Sequence, residues 1–299
     1  MITVQDFDIA RLGRADLAPI FRAAARDEEG RPLDCLKVEQ AAPRRYLGVH
    51  HFLVNGKFDL CLAESSDLVT WRHVRVLDHD AHQGTLAKVG DRWLLAWEKT
   101  ETDGNHLRLR AFDSLEALLG GKAAATVDLP RTLAPTAEGT PNIESVRFNG
   151  GWNRSVVELG FHFYRNQDVD RQAVGSLRAF KDWVAHPVDA VNQALEKTNR
   201  GNFGDRDSAV VQGHRVSLLE VQGAKNDWSS WCVFACAERK PFSLLSIRTP
   251  LGSTAFANPT LTALTLPDGK PGVVVTVFVP SQGAAKGESG EMIWAFPLR

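Results

Sequence analysis

Carboxylates recur at comparable places along this chain of 299 residues. Asp34 follows Pro32-Leu33, Asp80 precedes Ala81-His82-Gln83, Glu138 and Glu144 bracket Gly139-Thr140-Pro141-Asn142-Ile143, and Asp205 and Asp207 flank Arg206. A fifth comparable segment, Phe256-Ala257-Asn258-Pro259, offers Asn258 in place of an acid. Carboxyl groups converging in a concavity suit proton transfer: an ionised group activates water while a protonated one donates to a leaving oxygen, as glycosidic cleavage demands. The same oxygen donors suit a hard cation, so a calcium ion is a second chemistry these residues allow.

An internal repeat explains why the acids are spaced as they are. Five short apolar segments open five units: Leu36 to Gln40, Thr85 to Val89, Asn142 to Phe148, Ser208 to Gln212 and Pro259 to Leu266. Each is followed by a turn such as Gly90-Asp91 or Asn149-Gly150-Gly151 and then by a β-branched or aromatic segment such as RWLLAWEK or HRVSLLEVQ. A third segment closes each unit, with alternation that is clean in Leu107, Leu109 and Ala111 against Arg108 and Arg110. Tails containing Trp71 and Trp183 lead toward a fourth strand. Unit starts at 36, 85, 142, 208 and 259 lie 49, 57, 66 and 51 residues apart, the scale of a four-stranded propeller blade with its loops.

The expected fold is therefore all-β, a five-bladed β-propeller in which residues 1–299 form one domain. First strands line a central channel, and the acidic lead-in segments gather at one mouth of it. Because the last unit ends on its third strand, Ile2 to Ile9 is expected to close the last blade rather than leave an open edge. Short helices are expected over Ser114 to Leu119 and over Pro187 to Lys197, the latter with Pro at its first position. A two-sheet sandwich shares the short strands and turns, but it does not require five like-ordered units.

Composition narrows the partners. Thirty-five basic against 36 acidic side chains leave a formal charge of -1, without the clustered positive field that nucleic acid or an anionic membrane would select. Hydrophobic content of 43% excludes wholesale disorder, and the longest apolar run, around Gly272 to Pro280, is too short to cross a bilayer. Asp6 and Asp8 stand where a secretion signal would be apolar, so a cytoplasmic chain is expected. Reduced thiols at Cys35, Cys61, Cys232 and Cys236 accord with that.

Other candidates are less specific. His50, His51, His82 and His162 are able to line a channel, yet their spacing matches no standard metal motif. Exposed indoles among Trp93, Trp97, Trp152, Trp228 and Trp231 could stack on a sugar face, although most tryptophans are expected between blades. Phosphate loops, nucleophile elbows, zinc-protease motifs and dinucleotide fingerprints are missing from the sequence.

Ser65-Ser66-Asp67-Leu68-Val69-Thr70-Trp71 resembles the Ser-x-Asp-Leu-x-x-Trp signature of five-bladed glycoside hydrolases of families 43, 32 and 117. The layout, including Asn258-Pro259, extends the resemblance over nearly the whole chain. It implies a general base at Asp34, an orienting acid at Asp80, and a general acid at Glu138 or Glu144. Glu144 is preferred, because two residues past Asn142 on a strand it shares that residue's face, whereas Glu138 belongs to the loop before. This chain has Asp34-Cys35 for the usual Asp-Pro, His82-Gln83-Gly84-Thr85 for the acid-bearing stretch of blade two, and Glu138-Gly139-Thr140-Pro141 for Glu-Gly-Pro.

The leading expectation is a glycoside hydrolase, arabinofuranosidase- or xylosidase-like, acting on a short oligosaccharide. His82, Asp205, Arg206, Asp207 and Asn258 would bind the sugar; no cofactor is required, and calcium in the central channel is allowed. Alternation puts Asp205 and Asp207 on one face with Arg206 opposite. A propeller that binds carbohydrate without turnover, or one recruited to lyase or biosynthetic chemistry, remains open.

Overall fold

The computed structural model describes residues 8–238 and 240–298. Five four-stranded antiparallel sheets follow one another around a ring. Blade 1 comprises Asp34–Ala42, Arg45–Val54, Lys57–Ser65 and Trp71–His79, and blade 2 Ala81–Val89, Arg92–Glu101, Gly104–Phe112 and Ala125–Asp128. Blade 3 is Glu138–Arg147, Val156–Arg165, Val169–Arg178 and Asp182–Pro187; blade 4 is Phe203–Val211, His214–Gln222, Trp231–Ala237 and Ser243–Leu244. Blade 5 combines Ala257–Thr265, Pro271–Val279 and Gly290–Pro297 with Ile20–Arg22, whose Ile20 lies opposite Ala295.

The five-bladed propeller is thus the one expected, but Ile20–Arg22, not Ile2 to Ile9, completes the last blade. Most of the earlier segment lies outside the described residues, and Ile9 opens a 3₁₀ turn, Ile9–Gly13, whose Leu12 carbonyl accepts from Trp294 Nε1 at 2.9 Å. Ile2 to Ile9 is expected only because the last unit needs a fourth strand; Ile20–Arg22 is just three residues and is defined by its partner. The blade 5–blade 1 seam is further tied by Thr260 Oγ1 to the Leu36 carbonyl, Thr262 Oγ1 to that of Val38, and Tyr46 Oη to that of Thr265.

Apolar side chains from facing sheets fill the gaps between blades, which is where a propeller must bury its area. Leu47, Leu60, Trp93 and Trp97 pack blade 1 on blade 2; Leu94, Leu109, Leu159 and Phe161 pack blade 2 on blade 3; Trp71, Tyr46, Val274 and Ile293 pack blade 5 on blade 1. Trp71 is buried, as a blade-packing role requires, and the preceding Asp67 accepts backbone bonds from Val69 and Thr70 to form the turn that aims it.

The first short helix, Leu115–Leu119, has Ser114 as its cap, with Oγ accepting from Ala117 N. The second runs Asp189–Glu196 rather than from Pro187, which instead ends the outer strand of blade 3 opposite Ala173. Proline fits an outer strand because its missing N–H leaves no ladder bond unmade on the free edge.

Candidate functional site

Each inner strand skips register at the same point: Asp34 to Lys37, His82 to Thr85, Gly139 to Asn142, Phe203 to Arg206 and Ala257 to Thr260. The lead-in segments expected as loops are therefore the first residues of the strands, carried past a bulge. Four of the bulges hold a non-glycine residue in the left-handed region: Cys35 (φ 55°), Gln83 (52°), Thr140 (48°) and Asn258 (47°). That twist takes the N–H out of the ladder and into the interior, where it needs an acceptor.

A buried side chain of the preceding blade supplies it every time. Glu291 Oε2 accepts from Cys35 N at 2.8 Å, His51 Nδ1 from Gln83 N at 3.1 Å, Glu98 Oε2 from Thr140 N at 3.0 Å, and Glu220 Oε2 from Asn258 N at 2.5 Å. In blade 4 the polarity reverses, and Gln172 Nε2 donates to the Phe203 and Gly204 carbonyls. Glycine leaves room for two of these carboxylates. A Cβ on Gly139 would lie 2.0 Å from Glu98 Oε2, and one on Gly204 1.9 Å from Glu220 Oε1.

This collar makes one mouth of the channel rich in protonatable groups. Burial drives Glu291 well above the ordinary carboxylate range, with Asp34 adding to it, and drives Glu220 up as well. Burial does the same to Asp205, reinforced by Glu220 and Asp207. Glu98 ends below its usual value: burial pushes it up, but His82, His162 and the 2.5 Å bond from Asn105 Nδ2 outweigh that.

Two half-buried acids reach solvent at this mouth. Burial raises Asp34 to about 6 against the opposing charge of Arg26, and its carboxyl makes no hydrogen bond or ion pair among the described residues. Asp170 lies 3.7 Å from His162 Nε2 and is raised by burial, with the imidazole pulling the other way. His82 stands 3.8 Å from Glu98, and the Phe58 ring packs on both His51 and His82 at centroid distances of 4.8 and 5.4 Å.

Below the collar the channel is filled. Lys37 Nζ is 2.6 Å from Asp207 Oδ2 and donates to the Leu261 carbonyl at 3.0 Å; Asp207 also accepts from Leu261 N, Asn142 Nδ2 and Ser208 N. Above this hub Asn258 Nδ2 donates to Gln83 Oε1 at 3.1 Å, joining blade 5 to blade 2. The cavity lined by both layers, among residues from all five blades, is about 10 Å³, the size of one water. A second chamber of about 240 Å³ lies beyond Lys37 and is lined by Glu39, which burial raises to about 7 against the pull of Lys37.

The structure separates the residues that the sequence grouped. Asp34 is at the mouth. Asp80 is a third exposed and ion-paired with Lys57 Nζ at 2.8 Å. Glu138 is in the strand and not in a loop before it; its Oε1 accepts from the N–H groups of Thr132, Leu133 and Ala134, and burial still leaves it above its usual range. Glu144 does not share a face with Asn142, because a second register skip between Ile143 and Ser145 reverses the alternation. Its carboxylate is held by Arg206 and Arg215 between blades 3 and 4.

Asp205 and Asp207 do face inward with Arg206 opposite, but Asp207 is the hub of the channel plug and Arg206 packs over Gly160. A cavity of about 720 Å³ lies on that blade 3–blade 4 side, outside the channel. Sequence reading missed Lys37, Glu98, Asp170, Glu220 and Glu291. Glu98 and Glu220 carry a faint signal, a lone acid in an otherwise apolar second strand (LLAWEK, SLLEVQ). Asp170 and Glu291 sit at the starts of third strands and read as ordinary turn residues.

No family model and no curated protein sequence matches this chain. Solved structures share its fold. A thermostable family-43 glycoside hydrolase is 12% identical with a TM-score of 0.56, over 94% of this chain and 91% of that one. A protein described as a glycoside hydrolase is 11% identical with a TM-score of 0.60, over 94% and 92%. An α-L-arabinanase of Cellvibrio cellulosa complexed with arabinohexaose is 8% identical with a TM-score of 0.57, over 90% and 92%. At these identities the likeness is one of fold.

Proposed function

We propose that this chain is a glycoside hydrolase acting on a short oligosaccharide, with arabinofuranosyl or xylosyl groups the substrates to try first. The observation that carries the reading is Asp34: a half-buried carboxyl at the channel mouth, unpaired among the described residues and raised to about 6 by burial. Such a group keeps its proton up to about pH 6, well above an ordinary carboxyl, and can hand it to a leaving oxygen. Asp34 is thus assigned as general acid and not as the base that the family resemblance implies. Asp170, beside His162, is assigned as the carboxylate that takes the proton of the attacking water. The arabinohexaose in one structural neighbour supports a carbohydrate at a propeller of this kind.

A calcium ion does not fit the channel at Asp207. The ammonium of Lys37 already lies against that carboxylate, and both oxygens are taken by N–H donors.

Turnover of aryl arabinofuranosides, xylosides, galactosides and fructosides tests the proposal, with Asp34→Asn and Asp170→Asn beside the native chain. Loss of turnover in both variants supports the assignment; full activity in either removes that residue from it. One observation favours a second reading. Asp80 and Glu144, two of the acids implied by resemblance, are consumed in ion pairs. A propeller that only binds sugar would take up oligosaccharide in calorimetry and turn over none of these substrates.

A further inference from the structure

Blade 1 carries a second concentration of chemistry, away from the channel mouth. His50, Cys61 and His73 come from its second, third and fourth strands, and their ligating atoms all lie within 4.8 Å of one another. Register makes this possible: His50 is directly opposite Cys61, and a skip between Leu62 and Ala63 brings His73 alongside. His51, the neighbour in sequence, points the other way and serves the collar.

We propose that this cluster binds a transition-metal ion, zinc by its donor set, through His50, Cys61 and His73. Imidazole nitrogen and thiolate sulfur together select zinc over the hard cations that oxygen ligands prefer. Bonds of about 2.0 Å to nitrogen and 2.3 Å to sulfur set ligand atoms roughly 3.3–3.5 Å apart in a tetrahedron, so a modest ring rotation closes the cluster on an ion.

An independent observation points to a ligand. His50 is fully buried, yet among the described residues neither of its ring nitrogens has a hydrogen-bond partner, and Nδ1 of His73 is likewise buried and unpartnered. Leaving such groups unmet costs on the order of 1–3 kcal/mol each, and a bound metal meets the need at two of them.

The surroundings admit a cation. Arg31 is the nearby positive charge, and Asp27 at 2.7 Å and Glu29 at 2.9 Å neutralise it. Asp27 spends its oxygens on Arg31 and on the backbone N–H groups of Glu29 and Arg31, so it is not the fourth ligand. His73 is the half-buried member of the three, and the fourth position would be taken by a solvent molecule.

The test uses the full chain stripped with a chelator. Zinc is titrated against a chromophoric competitor, and cobalt(II) is added separately to read thiolate-to-cobalt charge transfer in the near ultraviolet. One equivalent of zinc and a charge-transfer band are expected. Cys61→Ser should abolish the band, Cys232→Ser should keep it, and His73→Gln should weaken zinc binding roughly tenfold or more. If Cys61→Ser does not fold, His73→Gln decides, since its side chain is only half-buried. Absence of zinc binding, a band that survives Cys61→Ser, or unchanged affinity in His73→Gln overturns the site. None of these outcomes depends on glycosidase activity.

Discussion

Replacing Asp34 with asparagine should stabilise the protein, by an amount that depends on pH. Burial raises this carboxyl from its ordinary 3.8 to about 6. The folded state therefore holds the proton more tightly than the unfolded chain does, and ionisation works against folding. The favourable contribution is complete below the unfolded value and is lost as pH rises through the folded one. A shift of about two units at 1.36 kcal/mol each is worth about 3 kcal/mol once Asp34 is ionised in both states. Asparagine carries no charge at any pH, so Asp34→Asn should gain about 3 kcal/mol at pH 7.5 and only about 1 kcal/mol at pH 4.5. Urea unfolding followed by tryptophan fluorescence at the two pH values measures the difference. A gain that is the same at both, or a loss at pH 7.5, would refute the desolvation argument and with it the case for Asp34 as a proton-holding acid. A stabilising substitution that ends activity is the expected trade at a functional carboxyl.

Four further outcomes follow from the same geometry. With Asp34 as general acid, kcat/KM of the native chain should fall as pH rises through about 6, the value to which burial moves the group; a profile flat between pH 5 and pH 8, by order of magnitude, would assign the proton elsewhere. Lys37→Met leaves Asp207 buried without its cation and should cost about 3–5 kcal/mol in urea unfolding, most of it recovered when Asp207→Asn is added. Glu98→Ala orphans the Thr140 N–H and should cost about 1–3 kcal/mol, whereas Glu98→Gln keeps an acceptor and should cost less. Gly139→Ala drives a methyl into the Glu98 carboxylate and should destabilise at least as much as Glu98→Ala; a neutral result in thermal melting would show that the collar yields.

The buried acids of the collar show how a structural need can imitate a catalytic one. Glu98, Glu220 and Glu291 are buried acids around the channel mouth, yet each accepts a specific backbone N–H from a left-handed bulge residue. Asp34 differs in accepting none among the described residues.

Much of the fold is legible in the chain because its signals are local. Turns such as Gly90-Asp91 and Asn149-Gly150 sit between apolar segments, and their fivefold recurrence specifies blades and their order. Asp34 is legible for the same reason, standing at the head of a unit. Glu144 shows the limit. Strict alternation puts it beside Asn142, but the skip between Ile143 and Ser145 turns it toward Arg206 and Arg215. A bulge leaves almost no mark in composition, and it reverses every side chain beyond it.

Sequence by itself determined the class, the number of blades and the channel-facing direction of Asp205 and Asp207, since period, turn chemistry and alternation act within a few residues. Tertiary structure alone decided that Ile20–Arg22 closes the ring, that Lys37 and Asp207 plug the channel, and that His50, Cys61 and His73 meet. Those pairings join residues 11 to 275 positions apart, and they exist only once neighbouring strands have taken register and the ring has brought its first blade against its last.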